Sequence, residues 1–437
     1  MIGRRIVIII LVVLALWGGA SAQRGGTPLV ALVNNSGQLV VASGDGAYRW
    51  IITNPGEQLA PDVGYRWSPN GDMLFWGIQQ GAQVRFFMGD IASMTPREVA
   101  VVDGLASGGE WVDSSTVVIA VDNNLLALSA NGNTRTLAAS NSPISLRATL
   151  FDSPYTPMPK SYGYNNVFYA SGGSYFLYSM AQGQITALPG TNEAQARNSG
   201  LWADSAPLLA YWGFDDDGTS NLYVVGVESG TILNFDSGRS APIFPLAWRA
   251  NSTELIYRDG SNVLRLADVG CAVRGCSDNP LANGVAFMPA TASEIQVTAD
   301  YAFFREDTVI YAVPFNCVAS DSCLNSAVAV VTDAAAQTPY HVANGRLVYT
   351  AFRDDARNPN DRSVHMVDLA CLNSGACAAM TLLPDAVAGL LSSDGAYVVV
   401  DIIGQGMQTL NVDTLTLTYL SGAGGQPGDS LSFARWQ

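Results

Sequence analysis

The sequence predicts an all-β fold built from one repeated unit of four short strands, and three observations carry that prediction. The first is the stretch Tyr65-Arg66-Trp67-Ser68-Pro69-Asn70-Gly71-Asp72-Met73-Leu74-Phe75-Trp76, an apolar-ended strand that enters a Pro-Asn-Gly turn and leaves it as a second apolar strand. Pro69 presets φ and Gly71 tolerates positive φ, so the turn is tight. The second is recurrence. The phrase returns as Glu110-Trp111-Val112-Asp113-Ser114, Leu201-Trp202-Ala203-Asp204-Ser205 and Ala247-Trp248-Arg249-Ala250-Asn251. Fainter copies stand near Val297, at His341-Val342-Ala343-Asn344-Gly345 and at Leu391-Ser392-Ser393-Asp394-Gly395, and the last is Ala434-Arg435-Trp436-Gln437. The third is composition: 48% hydrophobic residues supply a large core, while 43 Gly and 20 Pro demand frequent turns.

The repeat positions are separated by 44, 91, 46, 49, 44, 50 and 45 residues, and 91 reads as two repeats with a degenerate copy near Leu150. A period of about 45 residues with four apolar runs per period marks a propeller blade. In the unit that starts at Trp67 the four strands are 64–68, 73–78, 83–89 and 98–103, separated by Gly and polar turns. Before it lie three strands, 29–33, 38–43 and 48–53, with no copy of the Trp phrase; the C-terminus 431–436 is that phrase with nothing after it. The expected fold is therefore a single β-propeller over 23–437, with a repeat count of nine and eight plus one long insertion as the close alternative. Its ring is closed by a blade shared between the two termini, which removes an exposed sheet edge.

Trp67-Ser68-Pro69-Asn70-Gly71 followed by an apolar strand resembles the TolB-like, WD40-like (PD40-type) propeller repeat. Asn70 stands where that family usually has Asp, and Pro69 and Gly71 are mostly lost in the other copies. Related propellers serve as protein-binding platforms or sit beside a peptidase domain. The resemblance thus implies a fold, and an activity only through the site.

The first 22 residues read as a signal peptide. Arg4 and Arg5 precede the apolar run Ile6–Trp17, and Ala20-Ser21-Ala22 is a small-residue cleavage site. The run is short for a membrane span. The expectation is secretion or residence in the cell envelope, with membrane attachment only if this segment stays uncleaved. The formal charge of −15 and the single lysine, Lys160, disfavour a nucleic-acid partner.

Six cysteines fall in close pairs: Cys271/Cys276, Cys317/Cys323 and Cys371/Cys377. Each pair follows a strand-like run, so the same element is stapled in three consecutive repeats. An exported chain favours disulfides, each worth about 2 kcal/mol for loops this short. The rival is a metal site, which would want Cys-x2-Cys pairs or adjacent histidines.

Several stretches could carry chemistry. The repeated tryptophans could form an aromatic cage, but one Trp per unit at one strand position reads as packing between units. Gly428-Asp429-Ser430-Leu431-Ser432 matches a GDSL hydrolase motif. In that family the serine lies near the N-terminus with a late histidine. Here both histidines, His341 and His365, lie upstream, and the match is read as coincidence. No Gly-x-Ser-x-Gly elbow is present.

The run Phe214–Asn221 offers alternating oxygens, with Asp215 and Asp217 as candidate Ca²⁺ ligands. Its plainer reading is a polar hairpin turn, and no other cofactor is indicated. The loop 353–362 alternates charge signs and can pair with itself. The insertion 153–164 holds Tyr155, Met158, Tyr162 and Tyr164, a composition suited to a partner-binding loop or to packing over a blade edge.

The function these residues favour is an exported, non-catalytic protein-binding or scaffolding module. One alternative is a carbohydrate- or metal-dependent enzyme or binder that uses loops on one face. Another is an accessory subunit of an envelope complex held by an uncleaved N-terminus.

Overall fold

The computed structural model describes residues 27–34, 36–146, 165–191, 200–236, 243–261, 263–319, 323–335, 338–352, 361–375, 377–421 and 435–436. Among the described residues the strands form eight antiparallel sheets, which divide in chain order into nine meander units, eight of four strands and one with its inner strand split in two. Unit 1 spans Leu29–Val33, Leu39–Ser43 and Arg49–Ile51, together with Arg435–Trp436. Units 2 to 9 then cover 58–103, 106–139, 144–191, 201–236, 244–288, 293–331, 341–384 and 386–419.

The order within each unit is a meander, inner strand to outer strand, as hairpins joined by short Gly-containing turns require. In unit 2 the inner strand is split into Gln58–Leu59 and Tyr65–Trp67, and both pieces pair with Met73–Gln80. Units 4 and 5 are joined into one hydrogen-bonded sheet through the pair Thr191–Phe214.

Three expectations were displaced. The degenerate inner strand lies at Ile144–Ser145, not near Leu150. It is two residues long and has no Trp to mark it. The outer strand of unit 2 starts at Thr95 rather than at Glu98. The third-to-fourth connections of units 6 to 8 are 3-10 turns rather than plain hairpin loops.

Side chains alternate across a strand, so a strand buried on both faces is predominantly apolar along its length. Leu39–Ser43 and Ala386–Leu391 are buried throughout. The two faces feed different cores. Val30 and Leu32 pack with Val387, Val399 and Met407 of unit 9, whereas Ala31 packs with Leu74 and Trp76 of unit 2. The buried residues form nine clusters, each shared by two neighbouring units. Eight of these join consecutive units, and the ninth joins unit 9 to unit 1.

The repeated tryptophan is part of this packing. Trp111 and Trp202 are each 2% exposed and Trp248 is 5% exposed. Trp111 Nε1 donates to Arg66 O (3.3 Å), Trp248 Nε1 to Leu201 O (3.0 Å) and Trp436 Nε1 to Leu390 O (2.9 Å). In each case the acceptor is an inner-strand carbonyl of the neighbouring unit. The C-terminal Trp436 therefore obeys the rule of the internal copies, and its strand pairs as Val30–Trp436 and Ala31–Arg435.

The phrase turn is held by Ser68, whose Oγ accepts from Met73 N (2.9 Å) and donates to Asn70 Oδ1 (2.8 Å). Ser392 with Asp394 and Ser43 with Asp45 make the same pair of bonds. Asn70 thus does the work of Asp in this turn.

Candidate functional site

A four-stranded meander places its first-to-second and third-to-fourth turns on one edge of the array and its remaining connections on the other. The three cysteine pairs all lie in third-to-fourth connections and share one edge. All are bonded, with Cα–Cα distances of 5.0, 5.2 and 4.9 Å for Cys271–Cys276, Cys317–Cys323 and Cys371–Cys377. No cysteine is left for a metal.

The first and third loops are built alike. Cys271 O accepts from Arg274 N and Gly275 N, and Cys371 O accepts from Ser374 N and Gly375 N. Gly275 (φ 111°) and Gly375 (φ 78°) take the left-handed region that returns the chain toward the second cysteine. The first loop is docked on unit 5 at Gly226, where a Cβ would lie 1.9 Å from Ala272 O. A cleft of about 440 Å³ opens beside this loop, lined by Asp268, Cys271, Asp278, Pro280 and Val318 among others.

The candidate partner-binding residues Tyr155, Met158, Tyr162 and Tyr164 lie outside the described residues. The strands on either side are described. Ile144–Ser145 and Asn166–Ser171 pair as first and second strands, as the sequence suggested. Residues 353–360 and the stretch 428–432 that matches the GDSL motif also lie outside, as do residues 1–22, where the sequence suggested a signal peptide. Among the described residues no helix is long and apolar enough to cross a membrane.

The acidic turn is on the opposite edge, between Leu208–Phe214 and Ser220–Gly226. Asp215 Oδ1 accepts from Tyr223 OH (2.5 Å) and Asp215 Oδ2 from Asn221 Nδ2 (2.7 Å). Asp217 Oδ1 accepts from Thr219 N (2.9 Å), a bond that lowers the Asp217 pKa below its ordinary value. Burial, then the bond to Asp215, raises the Tyr223 phenol well above its usual pKa. A second cleft, of about 480 Å³, is lined by Pro189, Gly190, Thr191, Phe214 and Asp215–Asp217. It sits at the joint of units 4 and 5. Behind it Phe168, Tyr175, Tyr211 and Tyr223 form a chain of ring contacts with centroids 5.1–5.3 Å apart.

Other buried polar groups lie in the fold, and of these Glu110 and Ser363 were not singled out by sequence. Glu110 on the inner strand of unit 3 is 8% exposed and its Oε1 has no hydrogen-bond partner. Burial pushes its pKa up to about 8, against which the nearby Arg66 charge works only in part. Its signal was a lone charge between Gly108-Gly109 and Trp111 in an apolar strand. His341 is 5% exposed, and burial drops its pKa to about 3. Ser363 Oγ lies 2.7 Å from His365 Nε2, and Ser363 is 3% exposed.

No family model and no curated protein matches this sequence. Solved structures with similarity include TolB from Acinetobacter baumannii, at 12% identity and a TM-score of 0.32, covering 55% of this chain and 60% of that one. Dipeptidyl peptidase 4 from Porphyromonas gingivalis is similar at 12% identity and a TM-score of 0.44, over 92% of this chain and 58% of that one. The dihydro-heme d1 dehydrogenase NirN is similar at 13% identity and a TM-score of 0.46, over 93% of this chain and 75% of that one. The architecture itself rests on the strand pairings and on the nine shared clusters.

Proposed function

We propose that the chain is an exported, non-catalytic β-propeller whose nine blades form a closed ring and whose disulfide edge docks a protein partner. The observation that carries this reading is the set of three covalently stapled loops on the same edge of three consecutive units. Loops held in one conformation lose little entropy on binding, which favours a recognition surface. Three disulfides also call for an oxidising compartment, in keeping with export outside the cell or into the envelope. The nine clusters support the ring, because each blade then buries both faces against a neighbour.

The insertion bearing Tyr155, Met158, Tyr162 and Tyr164 is assigned to that same edge, between first and second strands, and supplies aromatic anchors. The test is crosslinking and affinity capture of the exported protein from its native envelope or medium. Tyr155→Ala with Tyr162→Ala is expected to weaken capture about tenfold or more while leaving the melting curve unchanged. Capture that survives this double substitution, or that maps by crosslinks to the opposite edge, rejects the assignment. Intact mass of the native protein separates a chain cleaved after Ala22 from one anchored by its first residues.

A further inference from the structure

We propose that Cys271–Cys276 is a redox-labile bond, and that its reduction by a dithiol releases the loop 270–284 from unit 5. The inference does not rest on the partner reading, because it concerns one bond and the loop it closes. The three disulfides differ in how a thiol can reach them. Cys317 and Cys323 are 8% and 0% exposed and belong to the cluster between units 6 and 7. Cys371 and Cys377 are half-buried and pack on the cluster between units 7 and 8. Cys271 alone of the six is exposed, and it lines the 440 Å³ cleft. Exchange needs a thiolate in contact with one of the two sulfurs, so access sets the order in which the bonds are cut.

The same loop carries a buried anchor. The bond closes on the 3-10 turn Gly270–Val273, whose Ala272 is fully buried in the cluster between units 5 and 6, with Leu208, Leu222 and Trp248. Ala272 O accepts from Ser229 Oγ (2.5 Å), and Asn279 Nδ2 donates to Asn234 O (2.5 Å). Ser229 and Asn234 both belong to unit 5, so the loop clamps unit 6 to its neighbour. The matching turn of the third loop, Leu369–Asn373, buries no residue. An exposed bond and a buried anchor therefore meet only in the first of the three loops. Once the bond is cut, the turn is held within itself by backbone hydrogen bonds alone. They run from Ala272 N to Val269 O (2.9 Å), and from Arg274 N (2.9 Å) and Gly275 N (2.8 Å) to Cys271 O. Short local bonds at an exposed site open easily, and the freed loop gains conformational entropy.

The step is thiol–disulfide exchange. A thiolate of the dithiol attacks Cys271 Sγ, the S–S bond breaks, and Cys276 Sγ leaves as a thiolate that takes up a proton. The second thiol of the reagent then attacks the mixed disulfide and frees Cys271. Two electrons and two protons pass from the dithiol to the cysteine pair, and the reagent leaves as its own disulfide.

The experiment uses the folded full chain with dithiothreitol as the probe. Samples are quenched with N-ethylmaleimide over time, and the labelled cysteines are mapped by mass. Tryptic cleavage after Arg274, an exposed residue inside the closed loop, is followed in parallel. Cys271 and Cys276 are expected to be labelled about tenfold faster or more than Cys317 and Cys323. Cleavage after Arg274 is expected to accelerate by about tenfold as that label appears. Cys271→Ser with Cys276→Ser is expected to give the fast cleavage without any reductant, which separates release of the loop from reduction elsewhere. Cys317 and Cys323 labelled as fast as the first pair overturns the proposal. So does cleavage after Arg274 that stays slow once Cys271 and Cys276 carry the label.

Discussion

Deleting Leu431–Gln437 is expected to lower the melting temperature sharply and to make unit 1 the first region cut by protease. The reason is where the last strand goes. Arg435–Trp436 supplies the inner strand of the first sheet, opposite Val30 and Ala31. Trp436 packs on the cluster that holds Val30, Leu32 and Val40 against Val387, Leu390 and Met407. Without it, unit 1 has three strands and a bare inner edge, and Leu390 O loses the donor that completes this seam. Loss of a buried or half-buried Trp costs about 3 kcal/mol on its own, and the opened seam adds to that. Trp436→Ala should reproduce a large part of the effect. A truncated chain with an unchanged melting curve and unchanged protease resistance would show that the terminal strand contributes nothing to the fold.

Glu110→Gln is expected to stabilise the chain at pH 8 and to do little at pH 4. Burial raises the folded-state pKa of Glu110 to about 8, against 4.5 for an ordinary glutamate. Between those values the folded chain holds a proton that the unfolded chain has released. Stability therefore falls as pH rises through this window and levels off above about pH 8. Each pKa unit is worth about 1.4 kcal/mol, so the difference between parent and variant should grow to a few kcal/mol across the window. His341 acts in the opposite sense. Its folded pKa is depressed by burial to about 3 from 6.5, so the unfolded chain takes up the proton first and stability is lost as pH falls below 6.5. The two slopes oppose one another between 4.5 and 6.5, where the parent chain should be most stable. Denaturant titrations at several pH values check this, and parallel curves for parent and Glu110→Gln would contradict it.

Much of the architecture was legible because one position repeats. Trp67, Trp111, Trp202, Trp248 and Trp436 mark the same inner-strand site, and their packing between units is the physical reason for the period. The shared first unit was legible because three strands at one end lack what a single strand at the other end supplies. The disulfides were legible from local pairing in three successive units. The inner strand at Ile144–Ser145 was misplaced because two residues without a Trp leave no periodic signal. The split inner strand of unit 2 was missed because Gln58–Leu59 is polar, short and separated from Tyr65 by a turn. Glu110 and Asn221 were not recognised as buried polar groups because burial of a single polar side chain is a tertiary fact. Sequence shows only that Glu110 interrupts an apolar strand, and that Asn221 follows an acidic turn.

The central claim is that the two ends of the chain meet in one sheet and so close the ring. It is tested most directly by replacing Ala31 and Arg435, which stand opposite each other in register, with cysteine in an otherwise intact chain. Paired residues in adjacent strands have Cβ atoms about 4.5–5.5 Å apart, close enough for a disulfide after small adjustment. The account predicts that peptide mapping of the oxidised, folded protein finds residue 31 joined to residue 435, with a raised melting temperature. Both new thiols remaining free and open to alkylation in the folded protein would contradict it.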